Sequence, residues 1–256
     1  MNKMVPVFDT VSAAFKRVVG NLSQVFRLGL VPMVLVIVLN ALGALLAQST
    51  GSQAIAMIFN ILALIVLIFF VLAWHRVVLL GFNNDTGRID FAFTPRSNKF
   101  LGYYIGLLVA CGVIIAIGAA LGYALGGAIG ALIAIAIYAA VFYTFTRLSL
   151  IFPAIAADHP ATLQSAWTQS NGIFWRMIAI NLLIALAAVI VLFVVGFVVG
   201  VILALILGMS GANIFIITLV TSIFTTPIEL VFIAVFTAAL SYVYRYVTEH
   251  PNPLDA

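Results

Sequence analysis

The sequence predicts an all-α integral membrane protein: a bundle of about six transmembrane helices, two amphipathic helices at the cytoplasmic side, and both termini in the cytoplasm. Three observations predict it. Of 256 residues, 65% are apolar and only 7% are Asp, Glu, Lys or Arg, whereas a soluble domain carries about 25% charged residues. Long unbroken Leu/Ile/Val/Ala/Phe runs recur five or six times, and a spanning helix needs roughly 20 apolar residues. All 11 Lys and Arg fall on one side of the topology these runs define. A barrel would need alternating segments of about 10 residues with a polar lumen face, and the unbroken runs rule that out.

The chain reads as one membrane domain. A first amphipathic helix is predicted over 8–26. Val7, Val11, Phe15, Val18, Leu22 and Val25 recur every three or four residues, with Asp9, Ser12, Lys16, Asn21 and Gln24 between them. Asp9 is the expected cap, and Lys16 and Arg17 suit a helix lying flat among headgroups. A first hairpin follows over 29–80 (spans near 29–48 and 53–77), then a cytoplasmic loop at 81–99. Its Asn83, Asn84, Asp85 and Gly87 are turn formers. A second hairpin over 100–149 has spans near 100–122 and 128–148. A second interfacial helix is predicted at 160–172, with Pro160 at its first position and Gly172 at its end. The third hairpin, 177–247, has spans near 177–205 and 213–246. No cleavable signal peptide is expected, because the first apolar stretch follows an amphipathic segment and has no small-residue cleavage pattern.

The hairpin turns QSTGSQ, GYALGG and GMSGAN carry no charge, and every cation lies at the other end. The positive-inside rule makes that end cytoplasmic. Arg27, Arg76, Arg147, Arg176 and Arg245 each stand within a turn or two of a span's end. They predict a basic collar facing anionic lipid headgroups, at about 1 kcal/mol per well-placed cation. Topology alone also accounts for these charges. Aromatics beside them in Trp74-His75-Arg76, Phe145-Thr146-Arg147 and Tyr244-Arg245-Tyr246 read as interfacial anchors. Membrane lipids are the expected partners, with a protein partner in the membrane as a further possibility and no nucleic acid.

An internal repeat is also legible. SAAF…G…VFR at 12–27 and QSAW…G…FWR at 164–176 share an order: small residue, aromatic, Gly, aromatic, Arg, then a span. The match is short and needs a three-residue gap, so chance competes with duplication.

Few residues suggest chemistry. His75, His159 and His250 form no HExxH, HxH or Cys/His pattern, so no metal or cofactor is expected. The single cysteine, Cys111, lies in an apolar run and reads as a packing residue. No nucleophile elbow, phosphate loop or carboxylate pair is evident, and an enzyme active site is not expected. Glu229 is the one acid inside an apolar run, a functional suspect by default. Thr226-Pro227-Ile228-Glu229 has the form of a capping box, which predicts a helix break there and places Glu229 toward the outer leaflet. A transport site at the same break is the alternative. Asn40 and Asn60, each ten residues from the first turn, are expected at similar depth and hydrogen-bonded to each other. Glycines 118, 122, 126 and 130 straddle a turn, which leaves Gly196 and Gly200 as the better helix-packing candidates.

Three stretches, AWHRVVLLG (73–81), RLSLIFPAIAADHPATLQSAWTQSNGIFWR (147–176) and SYVYRY (241–246), resemble uncharacterised multi-span inner-membrane proteins of alphaproteobacteria. More distantly they are similar to YciC-like proteins and to the membrane domain fused to some glycerophosphodiester phosphodiesterases. The resemblance implies a bacterial inner membrane and this fold, not an activity. Those proteins often carry an acid and a proline where this chain has Phe82-Asn83-Asn84. The function expected is a non-enzymatic accessory, assembly or lipid-interacting protein. The alternative is a small-molecule or lipid transporter with its site near Thr226 and Glu229.

Overall fold

Helices are the only regular elements among the described residues, 5–207 and 214–249 of a computed structural model. Each starts and stops for a local reason. α1 (Val7–Val19) follows Pro6, which occupies the cap position, and the Thr10 hydroxyl donates back to the Pro6 carbonyl at 2.7 Å. Asp9 falls in its first turn and Lys16 and Arg17 in its last, complementing the helix dipole. Asp9 is therefore not the cap that the sequence suggested. The chain bends at Gly20-Asn21, so residues 22–26 belong to the next helix rather than to an interfacial one.

α2 (Leu22–Thr50) and α3 (Gln53–Leu80) form the first hairpin, turned by Gly51 in the left-handed region at φ 68°. α4 (Pro95–Leu125) starts on a capping box in which the Ser97 amide donates to Thr94 Oγ1 and the Thr94 amide to Ser97 Oγ. α5 (Gly127–Leu148) follows after Gly126 and runs almost directly into the short α6 (Ile151–Ala156). α7 (Leu163–Gln169) is a two-turn helix capped by Thr162 and Ser165. The predicted start at His159-Pro160 is corrected: a capping hydroxyl, not proline, opens this helix. α8 (Phe174–Leu207) and α9 (Ile214–Glu249) complete the chain. The third turn, GMSGAN, lies outside the described residues, as do Lys3 and His250.

Among the described residues, six helices are long and apolar enough to cross a membrane. α8 and α9 have 34 and 36 residues, or about 50 Å at 1.5 Å per residue, against a hydrocarbon core of about 30 Å. The surplus lies at the charged end, where the buried core also sits. Phe70, Trp74, Phe100, Leu150, Ile151 and Met177 pack there into one cluster. α1 belongs to it. Ala14 and Val18 are fully buried and Phe15 meets Phe232 of α9 edge-on, so its apolar stripe faces protein, not bilayer as the sequence implied.

Toward the uncharged turns the helices pair mainly within hairpins and leave large apolar side chains outward, Val113, Ile129, Leu132, Phe193 and Leu205 among them. Glycines allow these pairs to close. A methyl at Gly43 would come within 2.8 Å of Phe59 Cβ, and one at Gly122 within 2.9 Å of the Gly130 carbonyl oxygen. Gly196 and Gly200 face open space instead. They are not packing glycines in this chain.

Candidate functional site

Polar side chains at the charged end bind the helices to one another. Trp74 Nε1 donates to the Ala234 carbonyl at 2.9 Å, bringing α3 against α9. Next to it, His75 Nδ1 lies 2.7 Å from Ser241 Oγ. The Ser241 hydroxyl also lies 2.8 Å from the Thr237 carbonyl. We assign the tautomer in which that hydroxyl gives its proton to the carbonyl, so that Nδ1 donates to Ser241 and Nε2 keeps its lone pair. His159 Nδ1 similarly meets the Tyr244 hydroxyl at 2.8 Å.

The five collar arginines turn largely inward. Arg76 reaches the Ala156 carbonyl at 2.9 Å and Asp158 at 3.0 Å, while Arg96 grips both Asp158 oxygens at 2.6 and 2.7 Å. Asp158 itself sits at φ 59°, a left-handed conformation that Asp tolerates better than most residues. Its partial burial would raise the carboxyl, but the two arginines outweigh that and hold it below the ordinary carboxylate value. Arg245 donates to the Val78 and Leu79 carbonyls at the end of α3, groups that a helix terminus leaves without partners. Arg176 donates to the Val5 carbonyl. Arg147 is only 6% exposed. It lies 3.9 Å over the Trp167 ring and donates to Ser170, Tyr143 and the Trp167 carbonyl. It is a corrected reading, since a buried guanidinium with these partners does not face headgroups. Arg27 alone of the five is exposed, with its guanidinium 5.7 Å from the Phe82 ring.

Above this network α3, α4, α5, α8 and α9 enclose a cavity of about 640 Å³, within the size range of small-molecule and cofactor sites. Its walls are mostly apolar, from Val71, Phe145, Phe152, Ile178, Ile233 and Phe236. Two lining residues, Phe142 on α5 at 53% and Leu182 on α8 at 66%, are exposed to the outside. The mouth therefore opens sideways between α5 and α8, along spanning helices. Into the chamber face His75, Tyr104, Thr146, Asn181 and Thr237. The Tyr104, Thr146 and Thr237 hydroxyls, the Asn181 amide and His75 Nε2 have no hydrogen-bond partner among the described residues, yet none is sealed from the cavity. Among the described residues, no Asp, Glu, Lys or Arg lines it.

The other residues singled out in the sequence lie elsewhere. α9 continues unbroken through Thr226-Pro227-Ile228-Glu229, which removes both the cap and the helix break. Thr226 is buried and Glu229 exposed. Gly29, two residues beyond Arg27, is in contact with Leu230, so Glu229 sits toward the charged end rather than the outer leaflet. The expected outer-leaflet placement fails because α9 runs deep into the packed base. Asn40 and Asn60 are not hydrogen-bonded to each other. The α2–α3 seam runs through Gly43, Phe59 and Ala63, and Asn60 is turned outward beside it.

The chamber residues were not singled out from sequence. The available signal was a set of isolated polar residues in apolar runs, His75, Asn181 and the Thr237/Ser241 pair one helical turn apart. Among the described residues no group of three His, Cys, Asp or Glu is placed to hold a metal ion. No family model, curated protein or solved structure matches the chain.

Proposed function

We propose that this membrane protein is a non-enzymatic lipid-binding component of a bacterial inner membrane, with its packed, charged base on the cytoplasmic side. The observation that carries the reading is the apolar chamber whose mouth opens between two spanning helices. An acyl chain in the bilayer reaches Phe142 and Leu182 without crossing water, and the apolar walls accept it at little desolvation cost. A soluble metabolite would have no such route.

The three stretches that carry the family resemblance meet around this site. Trp74 and His75 come from the first, Ser149 and Phe152 from the second, and Ser241 and Tyr244 from the third. Residues far apart in sequence thus build one base, which supports a shared role for them.

Transport was tied to a helix break at Glu229, and with α9 continuous that support is gone. Lipid binding remains the reading with a site. The test is to narrow the mouth. Leu182→Trp should reduce labelling of the chamber by a photoactivatable fatty acyl lipid. Phe193→Trp, on an exposed part of the same helix, should leave it unchanged. Equal labelling of both variants and the parent would defeat the proposal.

A further inference from the structure

From the chamber's polar groups we infer that its ligand is an uncharged, hydroxyl-bearing lipid of the monoacylglycerol or diacylglycerol kind, bound with its hydroxyl end against His75 and Asn181. The inference rests on the lipid-binding reading and specifies the lipid.

The hydrogen-bond inventory narrows the class. His75 is 1% exposed, and in the assigned tautomer its Nδ1 proton is spent on Ser241, so Nε2 offers a lone pair. Among the described residues, the Thr146 and Thr237 hydroxyls, 3% and 5% exposed, the Tyr104 hydroxyl and the Asn181 amide have no protein partner. A buried polar group left unpaired costs free energy, so a fitting ligand must supply a donor to Nε2 and groups that can both give and accept elsewhere. A hydroxyl does both. An ester carbonyl, an ether or a phosphate oxygen accepts only, and would set its lone pairs against that of Nε2.

Charge narrows it further. The lining includes no cation to pair with a phosphate or carboxylate and no acid to support an imidazolium. An anion in this largely apolar chamber would be desolvated without compensation. The nearby Arg147 is already committed to Ser170, Tyr143 and Trp167. The chamber thus selects a neutral head.

The test uses the full chain, delipidated and placed in phosphatidylcholine nanodiscs. Three radiolabelled probes share one acyl chain: a monoacylglycerol, its di-O-methyl ether and the matching lysophosphatidic acid. Monoacylglycerol should bind at least about tenfold more tightly than either, the difference expected from one or two hydrogen bonds. Asn181→Leu should erase most of that preference while leaving ether binding in place. Independently of any variant, the His75 Nε2 nitrogen resonance should move toward its hydrogen-bonded position when monoacylglycerol is added, and stay put with the ether. Ether or anion binding as tight as that of monoacylglycerol would overturn this inference and leave the lipid-binding reading standing. Failure of all three probes to bind would overturn both.

Discussion

His75 illustrates how a residue's role depends on one neighbour's proton. With the Ser241 proton given to Thr237, the imidazole takes the tautomer that turns its acceptor nitrogen toward the chamber. Ser241→Ala would leave a fully buried Nδ1–H without a partner, at a cost of about 1–3 kcal/mol. The expected outcome is a lower thermal midpoint in detergent. A midpoint equal to that of the parent would show that the ring finds another acceptor. In sequence, His75 stands between Trp74 and Arg76 and looks like part of an interfacial anchor. Nothing local tells it from its neighbours, since its role is set by a serine 166 positions away. Asn40 and Asn60 failed for a related reason. Equal depth does not fix the facing of two helices, and here the facing is set by Gly43 against Phe59. Glu229 is exposed on a continuous helix, so Glu229→Gln should change stability by less than about 0.5 kcal/mol, measured by the same melt.

At the scale of elements, the spans were legible and the caps only partly so. Thr94-Pro95-Arg96-Ser97 and Thr226-Pro227-Ile228-Glu229 carry nearly the same signature. The first begins α4, because the turn-rich loop before it offers no helix to continue. The second is absorbed into α9, because an apolar helix already running from Ile214 propagates through it. A capping pattern therefore has meaning only with what precedes it. Thr94→Ala should destabilise by about 1 kcal/mol, whereas Pro227→Ala should be neutral or stabilising, since it restores an amide donor to a helix interior. Denaturant titration of both variants distinguishes them, and the reverse ranking would contradict the assignment of the start of α4. The interfacial elements were the least legible. α1 has the amphipathic pattern that the sequence suggested, but the pattern does not say whether lipid or protein covers the apolar stripe. The two repeat-like segments also diverge. One forms a 13-residue helix and the other a 7-residue helix, and only Gly172 of the two glycines takes a positive φ.

Asp158 ties the end of α3 to the start of α4 through Arg76 and Arg96. Since its native carboxyl titrates below the unfolded value of about 3.9, the stability it adds is fully present above that range. It is lost as pH falls through the native value. Asp158→Asn should therefore narrow the stability gap to the parent as the medium is acidified, with the largest difference near neutrality. Because the carboxylate is half exposed, added salt should shrink the effect. A gap that widens toward low pH would reverse the sign of the argument.

For the whole molecule, the distribution of charge and the distribution of packing coincide. The base holds the buried cluster and the guanidinium ties, and the uncharged hairpin ends reach away from it. Cations at one end of a span resist translocation, and on that ground the proposed orientation has the base in the cytoplasm. The proposed orientation would give the chamber a mouth near the inner leaflet and would make Asn84 and Thr168 cytoplasmic, with Ser49 outside. All three positions are exposed, so a reagent that reaches the correct side should react with a cysteine placed there. In a Cys111→Ser background, Ser49→Cys should be labelled by an impermeant maleimide added to intact cells whose inner membrane is accessible. Asn84→Cys and Thr168→Cys should become reactive only after the membrane is permeabilised. Labelling in the opposite sense would place the base outside and detach the chamber from the anionic inner leaflet. It would leave the helix packing untouched, because hydrogen bonds such as those of Trp74 and Arg245 do not depend on which side of the membrane they occupy.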